Sequence, residues 1–372
     1  MSPTTALVDV EDLRPRVDAL LTEHVAGLVP ELAAAGAGAV PLAEALGQML
    51  AGGKRLRAAF CYWSWRAHGG EAGSADAEVV LRVGAALELF QAAALFHDDV
   101  MDDSDTRRGR PSAHRRFAAR HVEQGWSGDA ARFGESAAIL LGDLALVASE
   151  RELVRAVERC PADRRTGAHA VFERMRTEVT VGQYLDLLAQ VLPWGEDPGS
   201  DETRAREVIV SKSARYSVEH PLRLGAVLAG ADDAALAATA RYGLPLGEAF
   251  QLRDDLLGVF GDPAATGKPA GDDLREGKRT VLVARAMARA QESGDVALVE
   301  ALRTGLGDRD LDDAACGALA SLIDASGAVA DVEELITGLS DRAFAELTTA
   351  PLGDDGRAML LELAHAAVDR RA

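Results

Sequence analysis

At 372 residues the chain has material for one large domain or two ordinary ones, with ample apolar sequence for a core. Ala and Leu dominate, and 48% of residues are hydrophobic but only 5% aromatic, a balance that favours helices. The net charge of −19 argues against nucleic acid or an anionic membrane surface as the main partner. Cys61, Cys160 and Cys316 are far apart and in no C-x-x-C spacing, which indicates neither a disulfide framework nor a zinc site and fits a reducing cytoplasm. Met1-Ser2-Pro3-Thr4-Thr5 shows no basic n-region or apolar h-region, so no export signal is expected, and no uncharged stretch is long enough to span a bilayer. Only four of the 40 basic residues are Lys: Lys54, Lys212, Lys268 and Lys278, each in a Gly- or Ser-containing segment. A compact ammonium and a guanidinium are not interchangeable at a phosphate, so these four are candidate ligands.

Apolar periodicity over 9–35 (Val10, Leu13, Val17, Leu20, Leu21, Val25, Leu28) predicts a first helix, with Glu11 and Asp12 suiting its N-terminal dipole. Pro41 starts a second, which runs through Leu46 and Leu50 to Gly52-Gly53-Lys54-Arg55-Leu56-Arg57. The glycines there allow a turn or a close approach to a ligand, and Lys54 and Arg57 are expected on one side of a continuing helix. After a loop over 69–74 comes an almost wholly apolar helix, 79–96, buried on most of its surface, which ends in His97-Asp98-Asp99-Val100-Met101-Asp102-Asp103. At about 3.6 residues per turn, Asp98 and Asp102 stack and Asp99 sits to their side, so three carboxylates are expected to converge. Packed carboxylates repel unless a cation neutralises them; a hard dication such as Mg2+ suits them, and a solvated acidic helix end is the plainer alternative. Then Asp105-Thr106-Arg107-Arg108-Gly109 reverses the sign in a polar turn. Its arginines suit a polyphosphate, the neighbouring aspartates, or both.

A polar loop is expected over 126–135, with helices over 136–157 and 164–192. The second contains Gly182-Gln183-Tyr184-Leu185-Asp186, with Gln183 and Asp186 in an apolar setting. A Gly/Pro/acid linker, 194–201, precedes a helix on which Lys212, Ser213 and Tyr216 can share a face. The next, from about residue 232, ends in a second acidic cluster, Phe250-Gln251-Leu252-Arg253-Asp254-Asp255-Leu256-Leu257-Gly258. Beyond it lie Gly267-Lys268-Pro269 and Gly277-Lys278-Arg279, and about four amphipathic helices complete the chain as packing. Opposed carboxylate clusters can hold Mg2+ ions bridged by a diphosphate; its departure as a leaving group would create a carbocation that needs a dry apolar cavity.

These ordered motifs, from about residue 52 to 280, resemble the trans-isoprenyl diphosphate synthases of the polyprenyl synthetase family. Asp98-Asp99-Val100-Met101-Asp102 is similar to the family's D-D-x-x-D, and Gly52-Gly53-Lys54-Arg55-Leu56-Arg57 to its G-G-K-R-x-R. Arg107-Arg108-Gly109 corresponds to R-R-G, the Gln183 and Asp186 pair to G-Q-x-x-D, Lys212-Ser213 to K-T, and the run from Phe250 to F-Q-x-x-D-D. Lys268 and Lys278 fall on its two G-K pairs. The resemblance implies a single all-α domain over 1–372, an isoprenoid synthase-type helical bundle around a central cavity, usually a homodimer. It also implies that Asp98, Asp102 and Asp254 ligate several Mg2+ ions, with Mn2+ as a substitute, and that Asp99 and Asp255 support them. Arg107, Lys212, Ser213, Gln251 and Lys268 would hold an allylic diphosphate; Lys54, Arg57, Gln91 and Arg108 would hold isopentenyl diphosphate. Gln183, Asp186, Tyr216 and Lys278 would support the site.

Three departures from the family pattern stand out: Gly258 replaces the last aspartate of the second motif, Gln91 a histidine, and Ser213 a threonine. Family chain length is set four and five residues before the first motif, where this chain has Ala94 and Ala93; the next large side chain is Phe90, a turn deeper. At roughly 0.8 kcal/mol per buried carbon, room for one more isoprene unit decides the outcome, and a C20 product, geranylgeranyl diphosphate, is expected, with longer chains second. A terpene cyclase would lack the G-G-K-R-x-R run, and a non-catalytic partner subunit would typically have lost one acidic motif.

Overall fold

The computed structural model describes residues 7–194, 198–262 and 271–369. Local sequence sets where the helices begin. Ser74, Asp129, Asp232, Thr280, Asp295 and Asp312 each accept a hydrogen bond from the backbone N–H three residues on, satisfying a donor that a helix start otherwise leaves open. The helices are α1 Leu13–Ala35, α2 Val40–Leu50, α3 Leu56–Ala67, α4 Ala75–Met101, α5 Ala113–Glu123, α6 Ala130–Val157, α7 Ala162–Val191 and α8 Pro198–Val208. A π-helix, Ile209–Glu219, continues α8 and is followed by α9 His220–Ala229, α10 Asp233–Phe260 and the single turn α11 Asp272–Arg275. Then come α12 Val281–Ser293, α13 Val296–Gly305, α14 Asp313–Ala325, α15 Ala328–Thr349 and α16 Asp354–Val368. The described strands are a two-residue hairpin, β1 Thr106–Arg107 and β2 Arg110–Pro111, so the fold is all-α as expected.

The chain divides into two compact units and passes between them several times. The first comprises Met1–Phe172, Pro221–Ala237 and Pro351–Leu363; the second comprises Glu173–His220, Ala238–Ala350 and Ala364–Ala372. In the first, α4 packs against α3 and α6, and α5 lies on α6. A side chain at Gly84 would meet Ala58 Cβ at 2.9 Å, so the contact of α3 with α4 depends on that glycine. Phe60, Tyr62, Trp63 and Trp65 of α3 are almost fully buried, and Tyr62 meets Trp63 edge to face at 5.4 Å. As a single helix, α4 is long and apolar enough to cross a membrane, but 72% of that stretch is buried inside the protein, as befits a core helix. In the second unit α12 packs on α8, α13 and α15.

Three expectations are corrected. The loop at 126–135 is shorter, because Asp129 caps α6 and starts it at Ala130. Among the described residues five helices, not about four, follow residue 280. Lys54 and Arg57 do not share a continuing helix: α2 stops at Leu50, Gly52 takes φ +77° and Arg55 φ +55°, and α3 restarts at Leu56, leaving Lys54 in the loop.

Candidate active site

The first acidic end is built by α4 and the hairpin after it. The helix stops at Met101; Asp102 N donates to Asp98 O at 2.8 Å and Ser104 N to Asp99 O at 2.9 Å, closing the last turn. Asp103, Arg108 and Gly109 adopt positive φ, and the hairpin pairs Thr106 with Pro111 and Arg107 with Arg110. That reversal returns Arg107 to the helix end, where Nε donates to Asp99 Oδ1 at 2.8 Å and Nη2 reaches Asp98 Oδ2 at 3.4 Å. Asp99 and Asp102 are buried, whereas the Asp98 side chain keeps 17% of its surface exposed. The expected convergence of three carboxylates on one point is therefore corrected. Arg107 draws Asp99 inward, Asp102 lies past the helix end, and among the described residues no three such side chains can hold a metal by themselves.

His97, which the sequence reading passed over, lies within hydrogen-bonding distance of Ile139 O (3.1 Å) and 3.3 Å from Asp143 Oδ1, and so ties this end of α4 to α6. Its place immediately before an Asp-Asp pair was the available signal.

Within the Gly52 loop, Arg55 is the anchor. Its buried guanidinium donates to Asp18 at 2.7 Å, to Glu88 at 3.1 Å and to Leu50 O. Lys54 is left exposed and Arg57 half-buried. Arg108 reaches the same loop, donating from Nη1 to Met49 O at 2.9 Å and Ala51 O at 3.2 Å. Arg107 and Arg108, neighbours in sequence, thus serve different ends: one holds the carboxylates, the other closes the loop. A cavity of about 250 Å³ lined by Met49, Gly52, Phe96, Arg107, Arg108 and Arg116 lies between them.

Along α4 the i, i+4 steps from Asp98 lead to Ala94 and then Phe90, roughly 12 Å below along the axis. Ala93 is buried, while Ala94 and Gln91 are partly exposed. Phe90 is buried and meets Phe172 edge to face at 6.2 Å, so the first large side chain beneath the alanines is itself braced by a second ring.

The second unit holds the other motif residues. A side chain at Gly182 would come within 2.6 Å of Lys212 Cα; its absence lets α7 touch the π-helix. One turn on, Asp186 accepts from Lys212 Nζ at 2.6 Å. Ser213 donates to Gln251 Oε1, and Gln251 Nε2 donates to Asp255 Oδ1 at 2.8 Å. Lys212 and Ser213 thus serve different neighbours, while Tyr216 is buried; π-helices recur at functional sites. Gln183 has a buried Nε2 with no partner among the described residues. Burial pushes the Asp255 carboxyl up to about 7, against the Gln251 hydrogen bond and with the Asp273 and Asp254 charges adding to it. Lys278 Nζ lies 3.4 Å from Asp273 Oδ1 and 2.6 Å from Glu276 Oε2. Lys268 lies outside the described residues.

Both clusters offer carboxylate oxygen without sulfur, a donor set that fits Mg2+; among the described residues no three such side chains can hold a metal, so further ligands would come from substrate oxygens or water. Residues 40–316 match the polyprenyl synthetase family. The chain belongs to that family.

It is 37% identical over 241 residues to the geranylgeranyl diphosphate synthase of Mycobacterium tuberculosis, a match covering 65% of this chain and 60% of that enzyme, so under two thirds of that relative's length is spanned. It is 33% identical over 255 residues to the short chain isoprenyl diphosphate synthase of Methanothermobacter thermautotrophicus, covering 68% of this chain and 69% of that enzyme. The geranylgeranyl pyrophosphate synthase of Corynebacterium glutamicum, solved with isoprenyl diphosphate and magnesium, is similar over 98% of this chain and 100% of its own, at 38% identity and a TM-score of 0.91. The polyprenyl synthetase chain is a trans-isoprenyl diphosphate synthase, a transferase of prenyl groups, with the all-α fold of that neighbour.

Proposed function

We propose that the chain condenses isopentenyl diphosphate with an allylic diphosphate (dimethylallyl, geranyl or farnesyl) to give C20 geranylgeranyl diphosphate. The observation that carries this reading is that α4 presents both halves of such a substrate's needs. Carboxylates held against Arg107 stand at its end, and a turn earlier small Ala93 and Ala94 precede the braced ring of Phe90.

In the reaction the allylic C–O bond breaks with its electron pair leaving on pyrophosphate, the isopentenyl double bond attacks the allylic carbon, and the cation so formed loses a proton to the pyrophosphate. Asp98, Asp102 and Asp254 would hold Mg2+, with Asp99 and Asp255 behind them. When bound, Mg2+ withdraws charge onto the departing diphosphate. Arg107, Lys212, Ser213, Gln251 and Lys268 orient the allylic diphosphate; Lys54, Arg57, Gln91 and Arg108 orient isopentenyl diphosphate. Asp186 holds the Lys212 ammonium, and Ser213 sets the Gln251 carboxamide so that its N–H faces Asp255.

A homodimer completes the reading. Phe133, Leu140, Val147 and Val154 recur every seventh residue on α6 and are 37%, 62%, 56% and 45% exposed, an apolar seam that a second copy would cover. Leu140→Asp should shift the mass seen by light scattering to that of one chain. Three free cysteines fit a cytoplasmic location.

The deciding experiment incubates the purified chain with Mg2+, isopentenyl diphosphate and each starter, then sizes the dephosphorylated products. A C20 alcohol is the expected result, and Ala94→Phe should shorten it. No elongation with any starter would defeat the reading; a longer alcohol would keep the chemistry and move the floor past Phe90.

A further inference from the structure

Gly258 is where the second acidic motif is one carboxylate short, yet that space is filled. A Cβ on Gly258 would lie 2.6 Å from Asp273 Cγ, well inside contact, so the Asp273 carboxylate occupies the volume a side chain at 258 would enter. It is held there by the chain itself. Gly271 N donates to Gly258 O at 3.1 Å, and Gly271, at φ +72°, turns the backbone into α11. Leu274 is fully buried, Gly307 N donates to Leu274 O at 2.8 Å, and Arg275 bonds Leu311 O at 2.9 Å and Asp313 at 2.8 Å. Lys278 N donates to Asp273 O at 3.0 Å, and its ammonium stands 3.4 Å from Asp273 Oδ1.

We propose that Asp273 supplies the third carboxylate of the second acidic motif, delivered from the following turn in place of the missing side chain at 258, with Lys278 positioning it. This rests on reading that motif as a site for Mg2+ and diphosphate. The two side chains compete for this space: one at 258 would have to move the Asp273 carboxylate from where it now stands. The motif's departure from the family pattern is then a relocation of charge, not a loss of it.

Asp273→Asn keeps the shape and removes the charge. Titration of the full chain with inorganic pyrophosphate in the presence of Mg2+ should show binding weakened about tenfold or more, with a matching rise in half-saturating Mg2+ for turnover and a smaller fall in kcat. Gly258→Asp alone should impair binding, since two side chains contend for one space, whereas Gly258→Asp combined with Asp273→Gly should recover most of it. Wild-type binding in D273N, or a double variant that binds no better than D273G, would overturn the proposal. If melting curves show the double variant unfolded, the D273N titration decides alone. The titration reads Asp273 whether or not elongation is detected, so a failed condensation assay is distinguishable from a failed role for this residue.

Discussion

The two acidic helix ends solve the same electrostatic problem differently. At the end of α4 the answer is local: Arg107, eight positions after Asp99, is turned back by the Thr106–Pro111 hairpin and places a guanidinium on a buried carboxylate. At the end of α10 it is distributed. Asp255 has an amide as its hydrogen-bonding neighbour, that amide is oriented by Ser213 from the π-helix, and the lysine of this region stands on Asp273. The first end thus sets a guanidinium directly on a buried carboxylate, whereas at the second burial pushes the Asp255 carboxyl up to about 7 and its hydrogen-bonding neighbour is a neutral amide. The difference makes the buried carboxylate of the first end depend on one arginine and that of the second on a chain of neutral hydrogen bonds.

The largest effect should come from Asp98, the most exposed of the first three carboxylates, whose contact with Arg107 is longer than that of Asp99. Asp98→Asn removes the charge of a partly exposed carboxylate and keeps its shape, so kcat should fall about 10²–10³-fold while the melting temperature stays close to wild type. A variant that unfolds instead would show that Asp98 is structural, like Asp99. Arg107→Gln sharpens the contrast from the other side. It strips the buried Asp99 of its guanidinium and should cost about 3 kcal/mol in denaturant unfolding, besides its effect on turnover. Full stability would mean the local neutralisation of the first end is not what holds it.

Legibility in the sequence follows the same division. The apolar run ending at Asp98 and the reversal of sign at Arg107 are a contiguous pattern, so both helix and turn were readable. The break at Gly52 was missed because a Gly-Gly pair permits a turn without requiring one, and what imposes it is Arg55, bonded to Asp18 and Glu88 far away in sequence. The π-helix, the Ser213–Gln251–Asp255 chain and the overlap of Asp273 with Gly258 are tertiary facts. No periodicity announces that a residue fifteen positions later will fill the space beside a glycine.

A third prediction concerns the second unit alone. Gly182→Ala would drive a methyl against the Lys212 backbone and should cost about 1–3 kcal/mol by overpacking, displacing Lys212 from Asp186. The effect should appear in KM for the allylic substrate as well as in unfolding. Normal KM with normal stability would show that the π-helix yields without moving the ammonium.

The smallest effect tests a feature the units share. Each wedges one glutamate between a histidine and an arginine: Glu152 between His24 (3.3 Å) and Arg82 (3.0 Å), and Glu178 between His220 (2.7 Å) and Arg215 (2.8 Å). Burial raises both carboxyls, but the hydrogen bonds and charges of these partners outweigh it, and both end below the ordinary value of 4.5. A carboxyl held lower in the folded than in the unfolded state gives stability that is complete above about pH 4.5 and is lost as pH falls from there through the folded value. Glu178→Gln should accordingly flatten the acid limb of stability against pH below 4.5, and Glu152→Gln should do the same from the other unit. An acid limb as steep in both variants as in wild type would place the acid sensitivity elsewhere, with the carboxylates of the two helix ends as the next candidates.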